Sequence, residues 1–170
     1  MHKATLSVGS ILMKTFDYFG WTTIPDDQML HRFVKEKFDM SKEDIEPMEK
    51  IIDRYIPQRD VALDIGCHYG FFTKFLSTKF KTVHAFDFPN DIYECFETNM
   101  TKFKCDNVVR HPYGLGEKHK PVATNDWFEQ YKRRGPLGNH IDTNQNATKK
   151  YEIKALDDLN LGKVDLMMVD

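Results

Sequence analysis

Apolar positions recur along the chain first at one spacing and then at two. "PDDQMLHRFVKEKF" carries Met29, Leu30, Phe33, Val34 and Phe38 at helical intervals, with Asp26 or Asp27 able to cap it. "DIEPMEKIIDRYI" predicts a second helix. Pro47 fits only a first turn, which makes Asp44 the cap, and Ile45, Met48, Ile52 and Tyr55 then share a face until Pro57 ends it. From there strands and helices alternate. "VALDIG" (61–66) is a short apolar strand, and "FFTKFLSTKF" (71–80) is a helix turning Phe72, Phe75, Leu76 and Phe80 inward. "TVHAFDF" (82–88) is a second strand. "NDIYECFETNMTKF" (90–103) is a helix capped by Asn90, with Tyr93, Phe96, Met100 and Phe103 on one side. "NVVRHPYGLG" (107–116) begins as a strand and ends in a glycine-rich turn. Strands separated by helices of this length imply right-handed crossovers and a parallel sheet.

The periodicity then lapses. "WFEQYK" predicts a short helix, and residues 133–150 are polar, rich in Gly, Pro and Asn, and read as a loop or insertion. "YEIKAL" alternates like a strand. "LDDLNLG" is a turn or short helix with Asp157 and Asp158 as a capping pair, and "VDLMMVD" (164–170) is a buried strand. A fully apolar parallel strand expects helices on both faces of its sheet and a neighbour on each side. The sequence therefore reads as residues 1–56, a helical segment, followed by residues 57–170, a Rossmann-like α/β domain cut after its fourth parallel strand. A complementing C-terminal segment or a second copy would cover the open side.

Composition narrows the function classes. The chain has 170 residues, 41% of them hydrophobic with 13 Phe, enough for one domain with a real core. A formal charge of −2 gives no general attraction to nucleic acid or to an anionic membrane, and there is no basic stripe to follow a nucleic-acid backbone. The three cysteines, Cys67, Cys95 and Cys105, form no C-x-x-C pair, so neither a disulfide framework nor a zinc site is expected, and a reducing, cytoplasmic setting fits. No apolar run is long enough for a membrane span, and the N-terminus is too polar for a signal peptide. The N-x-T sequons at Asn99 and Asn146 read as chance.

The chemistry lies where the strands stop. In open α/β sheets ligands bind beyond the carboxyl ends of the strands. Those ends carry Asp64-Ile-Gly66-Cys67-His68-Tyr-Gly70 after the first strand, Asp87 after the second, Tyr113 to Gly116 after the third and Asp170 after the fourth. Gly66 and Gly70 permit a tight turn and a close backbone approach, and the first N–H groups of the next helix face the same crevice. Asp87, 21 residues after Gly66, stands where an acid can accept both hydroxyls of a ribose. The dinucleotide fingerprint G-x-G-x-x-G is missing its middle glycine, because position 68 is His. Asp64 would repel a pyrophosphate but could receive an ammonium group, directly or through water. A ligand with an amino-acid head and a ribose answers both features, which points to S-adenosylmethionine. A nicotinamide-dependent oxidoreductase is the disfavoured alternative, and a cofactor-binding domain without catalysis is another.

"VALDIGCHYGFFTKFL", "VHAFDFPNDIYECFETNM", "NVVRHPYGLGE" and "ALDDLNLGKVDLMMVD" resemble, in order and spacing, successive motifs of the FkbM-type S-adenosylmethionine-dependent methyltransferases over about residues 50–170. The resemblance implies the class I methyltransferase fold and methylation of a hydroxyl on a sugar or other small molecule. It implies that Asp64, Gly66, Cys67, His68 and Gly70 line the methionine end of the cofactor, that Asp87 holds the ribose, that Tyr113 and Gly114 border the adenine, and that Asp170 lies near the methyl group. The chain departs from the family at Cys67 and His68, which replace a small residue and Asn, at Asp87, which replaces Glu, and at Met168, which replaces Lys. An alcohol needs a base to become a good nucleophile. His68 and Asp170 are the candidates here.

Overall fold

The structure, a computed structural model, describes residues 15–24, 41–124 and 149–169. The helix expected at 25–38, "WFEQYK", most of the 133–150 segment, Asn146 and Asp170 lie outside those residues.

Four parallel strands form the main sheet: β3 (Val61–Ile65), β4 (Thr82–Phe86), β5 (Val108–His111) and β9 (Leu166–Val169). Their spatial order is β5-β4-β3-β9. Numbered among themselves this is 3-2-1-4, the order of a doubly wound, Rossmann-like sheet, whose direction of winding reverses beside the first strand. The crevice therefore belongs at the carboxyl end of β3, where the glycine loop starts.

Three helices join or precede these strands: α1 (Glu46–Tyr55), α2 (Phe71–Ser77) and α3 (Asp91–Lys102). Ile52 of α1 and Leu76 of α2 pack with Phe80 on Ala62 and Val83, and Phe96 and Met100 of α3 pack on Ala85. Val83 and Ala85 are two apart in one strand and so point the same way. All three helices thus cover one face. The opposite face carries His84, Phe86 and His111, and on it Val109, Met167 and Val169 are exposed.

Asn90 caps α3 as expected, its side chain accepting the Tyr93 N–H at 2.9 Å. Asp44 does not cap α1. A π-type turn, Ser41–Ile45, runs straight into that helix, and the residue at the cap position, Ile45, already has helical dihedrals, although Pro47 does sit in the first turn. Tyr55 is exposed rather than buried, with the Arg54 guanidinium over its ring. Asp157 and Asp158 lie inside the first turn of a 3-10 segment, Leu156–Leu159, instead of capping it.

Beside the main sheet stand two smaller units, of whose strands periodicity predicts only β8 (Lys149–Ala155), from the alternation of "YEIKAL". Residues 16–23, within the segment read as helical, form a hairpin of β1 (Phe16–Tyr18) and β2 (Trp21–Thr23). Phe19 and Gly20 both have positive φ, as a two-residue hairpin turn of this hand requires. The glycine-rich turn after β5 is itself a strand, β6 (Gly114–Gly116). It runs parallel to β8 (Lys149–Ala155), which also pairs antiparallel with β7 (Lys120–Thr124).

Candidate functional site

The glycine loop folds over the end of β4. The amides of Gly66 and Cys67 both donate to the Phe86 carbonyl, at 2.9 and 3.1 Å, and the Gly70 amide returns to the Cys67 carbonyl at 2.7 Å. This path needs three residues with positive φ: Gly66 (87°), His68 (50°) and Gly70 (89°). At Gly70 a side chain is excluded twice over. A Cβ there would lie 2.5 Å from Met100 Cε and 2.8 Å from Phe96 Cδ2, so the loop rests directly on α3.

Asp87 faces this loop. Its Oδ2 accepts the His68 N–H at 2.9 Å and its Oδ1 accepts the N–H of Phe88 at 2.7 Å. Both carboxylate oxygens thus accept a backbone N–H. The residue is only partly buried, at the crest of the sheet.

Asp64 is placed differently. It has no exposed surface, and the Thr73 hydroxyl of α2 donates to its Oδ2. The cause is the alternation of β3: position 64 shares a face with Ala62, under the helices. Asp64 thus lies beneath the turn, tied to α2 through Thr73.

Cys67 is also turned inward, among Tyr93, Phe96 and Met100. Burial, then the nearby carboxylates of Asp87 and Asp64, push its thiol well above the usual range. It remains a neutral packing group, and only its backbone belongs to the loop surface. The His68 ring meets Tyr69 edge-on at 4.4 Å, half-buried at the loop.

Tyr113 and Gly114 follow β5 on the far side of Asp87. The Phe88 ring packs onto Gly114, where a Cβ would come within 2.5 Å of Phe88 Cζ, and lies 5.1 Å from the Tyr151 ring of β8. Tyr113 takes part in a chain of hydrogen bonds across the sheet. Its hydroxyl is 2.8 Å from His111 Nδ1, and His111 Nε2 is 2.9 Å from His84 Nδ1. The His111 ring stacks on Phe86 at 4.3 Å. Burial, with His84 and Lys154 nearby, lowers the His111 pKa to about 4, and burial lowers that of His84. The Lys154 ammonium sits 4.0 Å from the centre of the Tyr113 ring.

Gly66, His68, Gly70 and Asp87 therefore converge on one crevice, Tyr113 and Gly114 flank it, and Asp64 and Cys67 lie beneath it. Sequence reasoning missed Thr73, Phe88, the His84–His111 pair and Asn99. Asn99 alone gave a usable signal, being a polar residue within the apolar stripe of α3. Among the described residues no group of three or more His, Cys, Asp or Glu could hold a metal ion, and no helix is long and apolar enough to cross a membrane.

No family profile and no curated protein matches the sequence. Two solved structures are similar in part. One is a protein of Streptococcus mutans assigned as a methyltransferase and solved in complex with SAH: 25% identity, 43% of this chain and 42% of that one, TM-score 0.38. The match thus spans less than half the length of that structure. The other is TYW2 of M. jannaschii in complex with AdoMet: 15% identity, 87% of this chain and 86% of that one, TM-score 0.35. With superpositions this loose, the fold assignment rests on the strand order and the site on its own geometry.

Proposed function

We propose that this chain is an S-adenosylmethionine-dependent methyltransferase of the FkbM type, acting on a hydroxyl of a sugar or other small molecule. The observation that carries the reading is the Asp87 carboxylate standing 2.9 Å from the His68 amide, with the glycine loop bent around it. A carboxylate at the end of the second strand, beside a turn of three positive-φ residues, is what a ribose needs: an acceptor pair for vicinal hydroxyls and a backbone without obstructing Cβ atoms.

The residues divide the work. Asp87 holds the sugar hydroxyls. Gly66 and Gly70 let the loop backbone approach the amino-acid end, while Asp64 and Thr73 fix the loop from beneath. Phe88, Tyr113 and Gly114 offer an apolar and aromatic border for the base. The bound cofactor supplies an electrophilic sulfonium methyl group. The protein's task is then to hold an acceptor oxygen about 3 Å from that carbon and in line with it. His68, on the loop, is assigned the acceptor proton, and Asp170 is the second candidate.

A dinucleotide fits less well. His68 stands where the fingerprint has its middle glycine, the residue that lets a backbone approach a pyrophosphate closely. Calorimetric titration with S-adenosylmethionine, its demethylated product SAH, and NADH tests the assignment. Binding of the first two but not of NADH is expected, and preference for NADH would overturn it. A methyl-transfer assay over a panel of sugars then tests the acceptor class. His68→Gln is expected to lower turnover while leaving SAH affinity within about threefold of wild type.

A further inference from the structure

The glycine loop is held from a side that the proposed chemistry does not touch. Asn99, on α3, has no exposed surface. Its Oδ1 accepts the Thr22 N–H at 2.7 Å, and its Nδ2 donates both to the Thr22 carbonyl at 3.0 Å and to the Tyr69 carbonyl at 3.1 Å. One carboxamide thus grips both polar groups of a single residue in β2, as a neighbouring strand would, and with its remaining hydrogen grips the loop between Gly66 and Gly70. Both donors and the acceptor of the amide are used.

Two further contacts run the same way. The Ile24 N–H donates to the Tyr69 hydroxyl at 3.4 Å, and the Tyr69 ring has no exposed surface. Trp21 packs on Phe71, the residue after Gly70, with ring centres 4.2 Å apart. No strand ladder joins β2 to the main sheet. Asn99, Tyr69 and the Trp21–Phe71 contact connect the hairpin to the loop, with Ile24 packed beside Tyr69.

We infer that Asn99 is a positioning residue for the cofactor loop and that the β1–β2 hairpin is the anchor it works against, an inference that rests on the loop being the nucleoside site. Loop and hairpin then share one state of order. A ligand that fixes the loop also fixes the hairpin, and by reciprocity loosening the hairpin weakens the ligand. Losing the carboxamide strands the Thr22 N–H, the Thr22 carbonyl and the buried Tyr69 carbonyl, at a cost large enough to free the loop but confined to one end of the sheet.

The test is hydrogen exchange read by mass spectrometry on the full chain, for wild type, Asn99→Ala and Tyr69→Phe, each with and without SAH, beside calorimetric SAH titrations. Tyr69→Phe deletes only the hydroxyl and guards against a collapse of Asn99→Ala. Without ligand, both variants are expected to exchange faster at residues 21–24 and also at 66–70, with β4 and β5 unchanged. SAH affinity is expected to fall by about tenfold or more in Asn99→Ala and by about two- to fivefold in Tyr69→Phe. In wild type, SAH is expected to slow exchange at 21–24. A loop that exchanges as in wild type while the hairpin has loosened in either variant would overturn the inference. If wild type binds no SAH and the loop still loosens with the hairpin, the anchoring stands and the cofactor reading fails.

Discussion

Asp87 and His68 are joined by a 2.9 Å hydrogen bond from the amide of one to the carboxylate of the other. The bond closes the end of the second parallel strand onto the turn that follows the first. It turns two separate sequence features, an acid and a glycine pair, into one crevice.

The turn tolerates no side chain at its last glycine. Gly70→Ala places a Cβ against Met100 and Phe96 and forces an alanine to hold a φ of 89°. Left-handed strain and overpacking together are expected to destabilise the chain by about 2–4 kcal/mol. Denaturant unfolding measures it, and a loss under about 0.5 kcal/mol would show that the loop does not rest on α3 as described.

The imidazoles across β4 and β5 predict a pH dependence. His111 titrates near 4 in the folded chain against 6.5 ordinarily, and His84 is lowered as well. Between those values the unfolded chain binds more protons than the folded one, so stability is full above about pH 6.5 and declines as the pH falls toward about 4. Both rings are partly exposed, and after discounting for screening the loss is about 1–2 kcal/mol. Melting curves of wild type and His111→Gln across that range should show a shallower slope in the variant. Equal slopes would contradict the placement of His111.

The thiols are expected to be silent. Cys67, Cys95 and Cys105 are all buried, and Cys67 is held well above the usual thiol range by its burial and by two carboxylates. An aromatic disulfide reagent at about pH 8 should label no cysteine in the native chain and all three once it is denatured. Rapid native labelling of Cys67 would mean that its side chain faces the crevice.

The parallel core was legible because its signals are local and repetitive. Each strand is a short apolar run, each crossover helix has a clear stripe, and Asn90 caps α3 by a contact three residues long. The convergence of Asp87 with Gly66 and Gly70 followed from topology alone. What stayed hidden depends on direction or on distant partners. Asp64 reads in the sequence as part of an apolar strand end, and only the period of two shows that it lies under α2, bonded to Thr73. Asn99 interrupts the apolar stripe of α3, but the partners that give it a role lie 77 and 30 residues away. The hairpin and the three-stranded sheet use three-residue strands, β1, β2 and β6, too short to display alternation.

The central claim is that a sulfonium nucleoside is held by its ribose at Asp87. The most direct measurement is calorimetric titration of SAH into wild type and into Asp87→Asn, which keeps an oxygen for the His68 amide but loses the charge and part of the acceptor capacity. Wild type should bind one SAH per chain with a dissociation constant on the order of 1–100 µM, and the variant, still folded though it loses one of the two backbone bonds to residue 87, should bind at least about tenfold more weakly. Equal affinity in the two proteins, or no binding to wild type at millimolar SAH, would contradict it.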